Sequence, residues 1–382
     1  MRADSLLTWT QARDGLAWSL SNMGALPPPQ TATWIAIQQE DARRIQFDLN
    51  LDAVGFDPRA HDALRRAVQP LLDSDEMATV GTVDVGRFLM RTLYSPWQYY
   101  AITGACADRQ EWTDRYLSET TDQYAVTLSL LSEKHRRITF NDRPWETIQE
   151  IAFLSESGSG DLQQGDFSPI DFEVIDIMSN GQQRFAVYDA QGSLISAIPD
   201  THPAGQPGSC MWCHEGYIQY GTFENPSASG YIDYLLWEER VFEMVDRLTA
   251  HRDTLETAVV FDNLNHTYGE LLTREFLYPT PGRLSAEWDA DAAALIAAQG
   301  LHTTSDEEHP ARGEIVTRTD ADQVFIHQLP QWSETPGHRF EGLSSATYQP
   351  LSTLPDDRAV PSGPNASTGR EAYWNGANCW RP

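Results

Sequence analysis

The sequence has almost no lysine. Of its 27 basic side chains only Lys134 is a lysine, whereas 55 side chains are acidic, and the formal net charge is -28. This negative charge disfavours binding to nucleic acid and to anionic lipid, and it favours a positively charged partner. The acidic residues are spread along the whole chain, so adaptation to salt or to a GC-rich genome explains them more simply than an acidic docking face does.

Long apolar runs are also missing. The chain has 382 residues, of which 41% are apolar and 21% are charged, a composition that predicts a globular protein of one large or two ordinary domains. No apolar run reaches the length of a membrane span, so no transmembrane helix is predicted. Residues 1–4 lack the apolar stretch of a signal peptide, and we therefore expect a mature form whose leader is absent.

Cysteine is scarce, with four residues in the whole chain. Cys106 and Cys379 stand far apart in the sequence, and in an oxidising compartment a disulfide between them is predicted. This disulfide would close a very long loop and hold the C-terminal tail against the N-terminal half. Loop entropy alone would make it worth about 5 kcal/mol.

The other two cysteines belong to a C-x-x-C-H motif formed by Cys210, Cys213 and His214, which is the spacing of c-type haem attachment. Over residues 210–214 the chain resembles c-type cytochromes. The resemblance implies one covalently attached haem c, with the two cysteines as thioether anchors and His214 as the proximal iron ligand. Zinc would need further Cys or His ligands at matching spacing, and a thioredoxin-like pair would need a βαβ unit; the sequence around the motif indicates neither. Attachment of this kind implies a periplasmic or extracellular location.

The ligand on the opposite side of the iron is left open by the sequence. Met244 is one candidate, because a methionine downstream of the motif has this role in small c-type cytochromes. Its spacing with Val241 and Leu248 also fits the core face of a helix. His202, His251 and His266 are the other candidates, and a vacant or water-filled position fits the sequence equally well.

The region around the motif also resembles cytochrome P460 proteins, which are β-rich single-haem oxidases. In that family the C-x-x-C-H motif follows antiparallel strands, as it follows the hairpin predicted before Cys210. An upstream lysine cross-links to the haem in these proteins, and Lys134 is the lysine upstream of the motif here.

The hydrophobic spacing predicts a mainly α fold, with a small antiparallel β-sheet before the haem motif and a long irregular C-terminal tail. The Gly/Ser-rich stretch Ser155 to Gly160 suggests a boundary, so we expect a mostly helical region 1–160, a haem-binding region 161–300 and a loop-rich wrapping tail 301–382. Helices are predicted over residues 58–72, 83–93, 108–136, 145–154, 231–254, 267–277 and 285–298. Strands are predicted over residues 34–37, 45–49, 172–177, 184–188 and 194–198.

Three functions fit these observations. The leading expectation is a secreted or periplasmic single-haem cytochrome that transfers electrons to or from a partner with a basic docking surface. The second is a peroxidase- or oxidase-like haem enzyme with an open iron site, in which His202, His266 or Arg184 would act as distal base or donor. The third is a structural or sensory subunit of a redox assembly.

Overall fold

A computed structural model describes a set of ranges that cover most of the first 261 residues and a few positions beyond them. These residues form two compact units, the first within Met1–Ile102 and Glu256–Trp374, the second within Thr103–Leu255 and Asn375–Pro382. The described residues are 2–3, 8–40, 45–73, 77–78, 81–93, 96–127, 135–142, 147–195, 210–211, 214, 230–261, 268–269, 272 and 379–380.

The first unit combines helices with a small sheet. Helix α1 (Trp9–Ser21) begins at a capping box in which the Thr8 and Gln11 side chains satisfy each other's backbone groups. Strands β1 (Arg2–Ala3), β2 (Ile35–Glu40) and β3 (Ile45–Leu49) pair antiparallel in the order β1-β3-β2. Three further helices are α2 (His61–Leu72), α3 (Val85–Arg91) and α4 (Pro96–Thr103).

The second unit is built on a six-stranded antiparallel sheet in which every strand pairs with its neighbour in sequence. Helix α5 (Arg109–Tyr116) precedes this sheet, and helix α6 (Tyr234–Arg252) follows it. The strands are β4 (Thr121–Val126), β5 (His135–Asn141), β6 (Ala152–Ser159), β7 (Ser168–Ile177), β8 (Gln183–Asp189) and β9 (Leu194–Ile195).

Turn chemistry fixes the register of the last strands. Asn180 and Gly181 lie between β7 and β8, and Gly181 has a φ of 79°, a left-handed conformation that glycine adopts without strain. With this turn, Asp176 lies opposite Arg184 and Ile175 lies opposite Phe185. Because side chains alternate along a strand, these two pairs lie on opposite faces of the sheet.

Helix α6 covers part of one face of the sheet. Its Trp237 ring stacks on Tyr124 of β4, with ring centroids 4.8 Å apart and planes within 7° of parallel. The same indole meets Phe140 and Phe153 edge-on. Burial of these rings, with Val241, Met244 and Leu248 of the helix, forms the apolar core of the unit.

The mainly α prediction is wrong, because a six-stranded sheet occupies much of the region expected to be helical. The helix predicted over 108–136 ends at Tyr116, and β4 and β5 follow it. The helix predicted over 145–154 is a single 3-10 turn, Ile148–Glu150, followed by β6. The physical reason is that Trp112, Tyr116 and Tyr124 lie multiples of four residues apart, which is compatible with periods of both 3.6 and 2.

Other predicted elements agree with the structure. Strands β2, β3, β7 and β8 and helices α2 and α6 lie where the sequence places them.

The stretch Ser155 to Gly160, interpreted as a boundary, is largely part of β6, so the sheet continues across residue 160. The helix predicted over 285–298, and all but three residues of that over 267–277, lie outside the described residues. Within the described part of the chain, no helix has the length and apolarity of a membrane span.

Candidate functional site

Three residues of the C-x-x-C-H motif are described, and all three are helical. Cys210 and His214 are half-buried and Met211 is buried, whereas Cys213 lies outside the described residues. Residues four apart on a helix lie on the same side, one turn from each other. Cys210 and His214 are therefore placed to contact one bound group together.

The His214 ring lies against the sheet. Its centroid is 5.7 Å from that of Phe185 on β8. Its Nδ1 atom is enclosed by protein and has no hydrogen-bond partner among the described residues. This enclosure, and secondarily the positive charge of Arg136, lowers the pKa of His214 from 6.5 to about 4. The imidazole is therefore neutral at physiological pH, which is the form that binds a metal ion.

The sheet face that carries Phe185 is divided into an apolar and a polar part. One row of register neighbours is apolar and comprises Phe185, Ile175, Phe153 and Phe140. On the same face, the two adjoining rows are mixed. Their polar members, called here the polar part of the face, are Glu173 and Ser155 in one row and Asp171, Ser157 and Arg136 in the next, whereas Val187, Ile138 and Tyr124 of the first row and Val126 of the second are apolar. A solvent-shielded sheet face would ordinarily be apolar throughout.

Several polar groups on this face lack a hydrogen-bond partner among the described residues. Arg136 Nη2 lies 3.5 Å from Glu173 Oε1. Arg136 Nε, Glu173 Oε1 and the hydroxyl oxygens of Ser155 and Ser157 are closed off from solvent without any hydrogen-bond partner. Ser157 is only 1% exposed. An enclosed polar group without a partner costs about 1–3 kcal/mol, so a cluster of them indicates bound water or a ligand.

The opposite face carries a different polar cluster, and this corrects one expectation for Arg184. Arg184 is buried there against Asp176, with Nη2 2.7 Å from Oδ1, and Trp112 Nε1 donates to the same carboxylate at 2.8 Å. Phe185 and the His214 ring lie on the other face. Arg184 is therefore paired within the structure on the face opposite His214, a position that does not support its expected role as distal base or donor.

The structure describes two of the predicted candidates for the opposite iron ligand, Met244 and His251, but not His202 or His266. Met244 is fully buried in the apolar core between α6 and the sheet, among the side chains that Trp237 contacts. Its packing is explained without an iron bond. His202, His266 and Lys134 lie outside the described residues, so their predicted roles stay predictions.

The sequence interpretation missed Arg136 and Glu173. Arg136 is the last residue of the helix predicted over 108–136, whereas the structure places it on β5. For Glu173 a signal was present, since the alternation of residues 172–177 puts it on the same face as Ile175 and Ile177. What the alternation does not show is which face the haem motif would cover.

The remaining cysteines lie together in the second unit. Cys106 and Cys379, the pair expected from the sequence, are joined by a disulfide, with Cα atoms 4.0 Å apart. Cys106 is buried, and its carbonyl accepts a hydrogen bond of 3.0 Å from the Tyr188 hydroxyl.

No protein-family model, no curated protein and no solved structure matches this chain.

Proposed function

We propose that this chain is a single-haem c-type redox protein that works as an enzyme with an open iron site. In this proposal Cys210 and Cys213 carry the haem through thioethers, and His214 binds the iron. The observation that supports the enzymatic part most directly is the cluster of enclosed polar groups on the sheet face that His214 contacts.

The residues present fit a covalently bound haem. His214 has the neutral imidazole needed for iron binding, and Cys210 lies one helical turn before it. Phe185 packs against the imidazole and supplies an apolar surface next to it. When bound, the haem supplies an iron that can change its oxidation state or bind a small ligand.

The polar part of the face supports a catalytic role over simple electron transfer. An electron-transfer protein needs only an apolar haem pocket and two iron ligands. Here, Glu173 Oε1 lies 3.5 Å from Arg136 Nη2 but has no hydrogen-bond partner among the described residues, so it can accept a proton or a hydrogen bond from a substrate. Arg136 and the two serine hydroxyls can orient that substrate or an ordered water molecule. The second unit also agrees with what the resemblance to cytochrome P460 proteins implies, because several antiparallel strands precede the motif.

An absorption spectrum with and without carbon monoxide tests the open site. We expect a high-spin haem whose Soret band shifts when carbon monoxide binds the reduced iron. A six-coordinate, low-spin spectrum that carbon monoxide does not change would contradict the enzymatic proposal and favour electron transfer.

Two matched variants test the role of Glu173. Glu173 and Glu156 lie on neighbouring strands, each next to an arginine, but on opposite faces of the sheet. We expect Glu173→Gln to lower the rate of peroxide turnover about 10²-fold or more, as loss of a general acid or base does. Glu156→Gln should leave this rate within about threefold, a change worth less than 1 kcal/mol in the barrier. Equal rates for both variants would exclude Glu173 from the reaction.

Electron transfer is the second candidate function, and the net charge of -28 favours it. A strongly acidic protein attracts a basic redox partner at long range. In this case the polar part of the sheet face would hold ordered water only.

A further inference from the structure

The C-terminal residues Cys379 and Trp380 are held by more than the disulfide. Trp380 is 8% exposed and packs against Gly104, and its backbone N–H donates to the Gly104 carbonyl at 3.0 Å. Gly104 has a φ of 67°, and a Cβ atom added there would overlap the indole ring. Residue 104 must therefore be glycine for two reasons: its backbone conformation is left-handed, and the Trp380 indole occupies the space of a Cβ atom.

Polar groups bind the main chain of the same two residues. The Tyr116 hydroxyl donates to the Trp380 carbonyl at 2.6 Å, and Arg115 donates to the Cys379 carbonyl. Burial raises the pKa of Tyr116 to about 12, so its hydroxyl keeps its proton and remains a donor at physiological pH. Arg184 donates to the Tyr116 oxygen and holds that hydroxyl in place.

The same arginine fixes the segment that carries the other half of the disulfide. Arg184 Nη1 donates to the carbonyls of Thr103 and Gly104, at 2.8 and 3.3 Å. The Tyr188 hydroxyl then binds the Cys106 carbonyl. Two segments that are 273 residues apart in sequence are thus brought together by one set of non-covalent contacts.

We infer that this Trp380 pocket, formed by Gly104, Tyr116 and Arg184, aligns Cys379 with Cys106 before the disulfide forms and so keeps both of them from pairing with the cysteines of the C-x-x-C-H motif. Four cysteines allow three pairings. Loop-closure entropy favours the shorter loop from Cys106 to Cys210 or Cys213 over the longer one to Cys379. Docking of Trp380 counteracts this preference by raising the local concentration of the Cys379 thiol near Cys106.

The reaction itself is thiol–disulfide exchange. The thiols of Cys106 and Cys379 lose two protons and two electrons to the disulfide of an oxidant, such as a thiol oxidoreductase or oxidised glutathione, which becomes a dithiol or two thiols. Cys210 and Cys213 take no part in this step. The benefit for haem attachment depends on the proposed function, but the pairing itself does not.

The experiment compares full-length variants produced in an oxidising compartment with haem-attachment machinery. Trp380→Ala and Gly104→Ala remove the docking contact, and Tyr116→Phe removes one of its hydrogen bonds. Gly165→Ala is the matched control, because Gly165 also has a positive φ, 75°, but a Cβ atom there meets open space. Peptide maps after alkylation without reduction show the disulfides, and intact mass shows the haem.

We expect the wild type and Gly165→Ala to contain the Cys106–Cys379 disulfide alone. In Trp380→Ala and Gly104→Ala, the ratio of native to non-native pairing should fall about tenfold, a reduction in effective concentration, with Cys106 joined to Cys210 or Cys213. Tyr116→Phe should show a smaller fall. Adding Cys106→Ser and Cys379→Ser to Trp380→Ala should restore haem loading, because no competing thiol remains.

Native pairing in all three docking variants, at the level of Gly165→Ala, would overturn the inference. A wild type with native pairing but no covalent haem would instead refute the proposed function, and the pairing ratios of the variants would still decide whether the pocket directs the disulfide.

Discussion

Arg136 on β5 and Arg184 on β8 lie on opposite faces of the same sheet, and their side chains have different hydrogen-bond partners. Arg184 is buried against Asp176 and donates to several carbonyl oxygens, so its positive charge is fully compensated. Arg136 lies on the opposite face, where its Nη2 pairs with Glu173 at 3.5 Å and its Nε atom has no hydrogen-bond partner among the described residues. The hydrogen bonds of Arg184 thus stabilise the unit, whereas Arg136 belongs to the face on which the proposed function depends.

Replacing Arg184 tests its structural role. Arg184→Met should lower the free energy of unfolding by about 3–5 kcal/mol, because Asp176 would be left as a buried charge without its counter-ion. Arg247→Gln is the control, since Arg247 pairs with Glu243 at 3.1 Å on a partly exposed helix surface, and it should cost less than about 1 kcal/mol. Denaturant unfolding measures both. A loss below 1 kcal/mol for Arg184→Met would show that the buried pair is dispensable.

Tyr116 predicts a loss of stability at alkaline pH. Burial raises the pKa of the Tyr116 hydroxyl to about 12 in the folded protein. In the unfolded chain its pKa is about 10. A pKa that is raised in the folded state contributes stability below pH 10 that is lost as the pH rises toward 12. Unfolding measured from pH 9 to 11.5 should show this decrease, and Tyr116→Phe should make it smaller. The same decrease in both proteins would assign it to other groups.

At the scale of elements, α6 and the sheet it covers determine the core of the second unit. The helix could be predicted because Trp237, Val241, Met244 and Leu248 keep a spacing of three and four residues. The β7–β8 hairpin could be predicted from alternation and from Asn180 and Gly181. Strands β4 and β5 could not, because their aromatic and β-branched residues extended the apolar spacing of α5.

The candidate site was predictable to a smaller extent. The C-x-x-C-H motif is local, so its residues could be named from the sequence alone. The polar part of the sheet face is not local, because Arg136, Ser155 and Glu173 come from three strands. Their proximity depends on a register that only the assembled sheet defines.

Two substitutions of Met244 distinguish a core residue from an iron ligand. Met244→Leu keeps the volume and should change the free energy of unfolding by less than about 1.5 kcal/mol, with no change in the haem spectrum. Met244→Ala should cost about 2–5 kcal/mol through the cavity it leaves. A change of spin state in Met244→Leu would show that the sulfur binds the iron.

At the scale of the whole molecule, the main feature is the charge of -28, with 55 acidic against 27 basic side chains. A charge of this size creates a field that attracts cations and repels anions, and salt screens it over about 10 Å at 0.1 M. This field is the same whichever of the proposed functions the protein has.

The negative charge should affect the rates at which small charged redox reagents react with the protein. At low ionic strength a cationic metal complex should oxidise or reduce the haem faster than an anionic complex of similar potential, by about tenfold or more. The difference should decrease as salt is added. Stopped-flow measurements at several salt concentrations provide the check, and equal rates for both reagents at low salt would show that the haem edge lies outside the acidic field.

The intact mass of the denatured chain after acid-acetone treatment tests the proposed haem attachment most directly. The wild type is compared with the Cys210→Ala/Cys213→Ala variant. Both are produced in cells that contain haem-attachment machinery. We predict that the wild type keeps the added mass of one haem, because thioether bonds survive the extraction, and that the variant has the mass of the polypeptide alone. A wild-type chain without this added mass, or a variant that retains it, would contradict the assignment of Cys210, Cys213 and His214 as a haem c site.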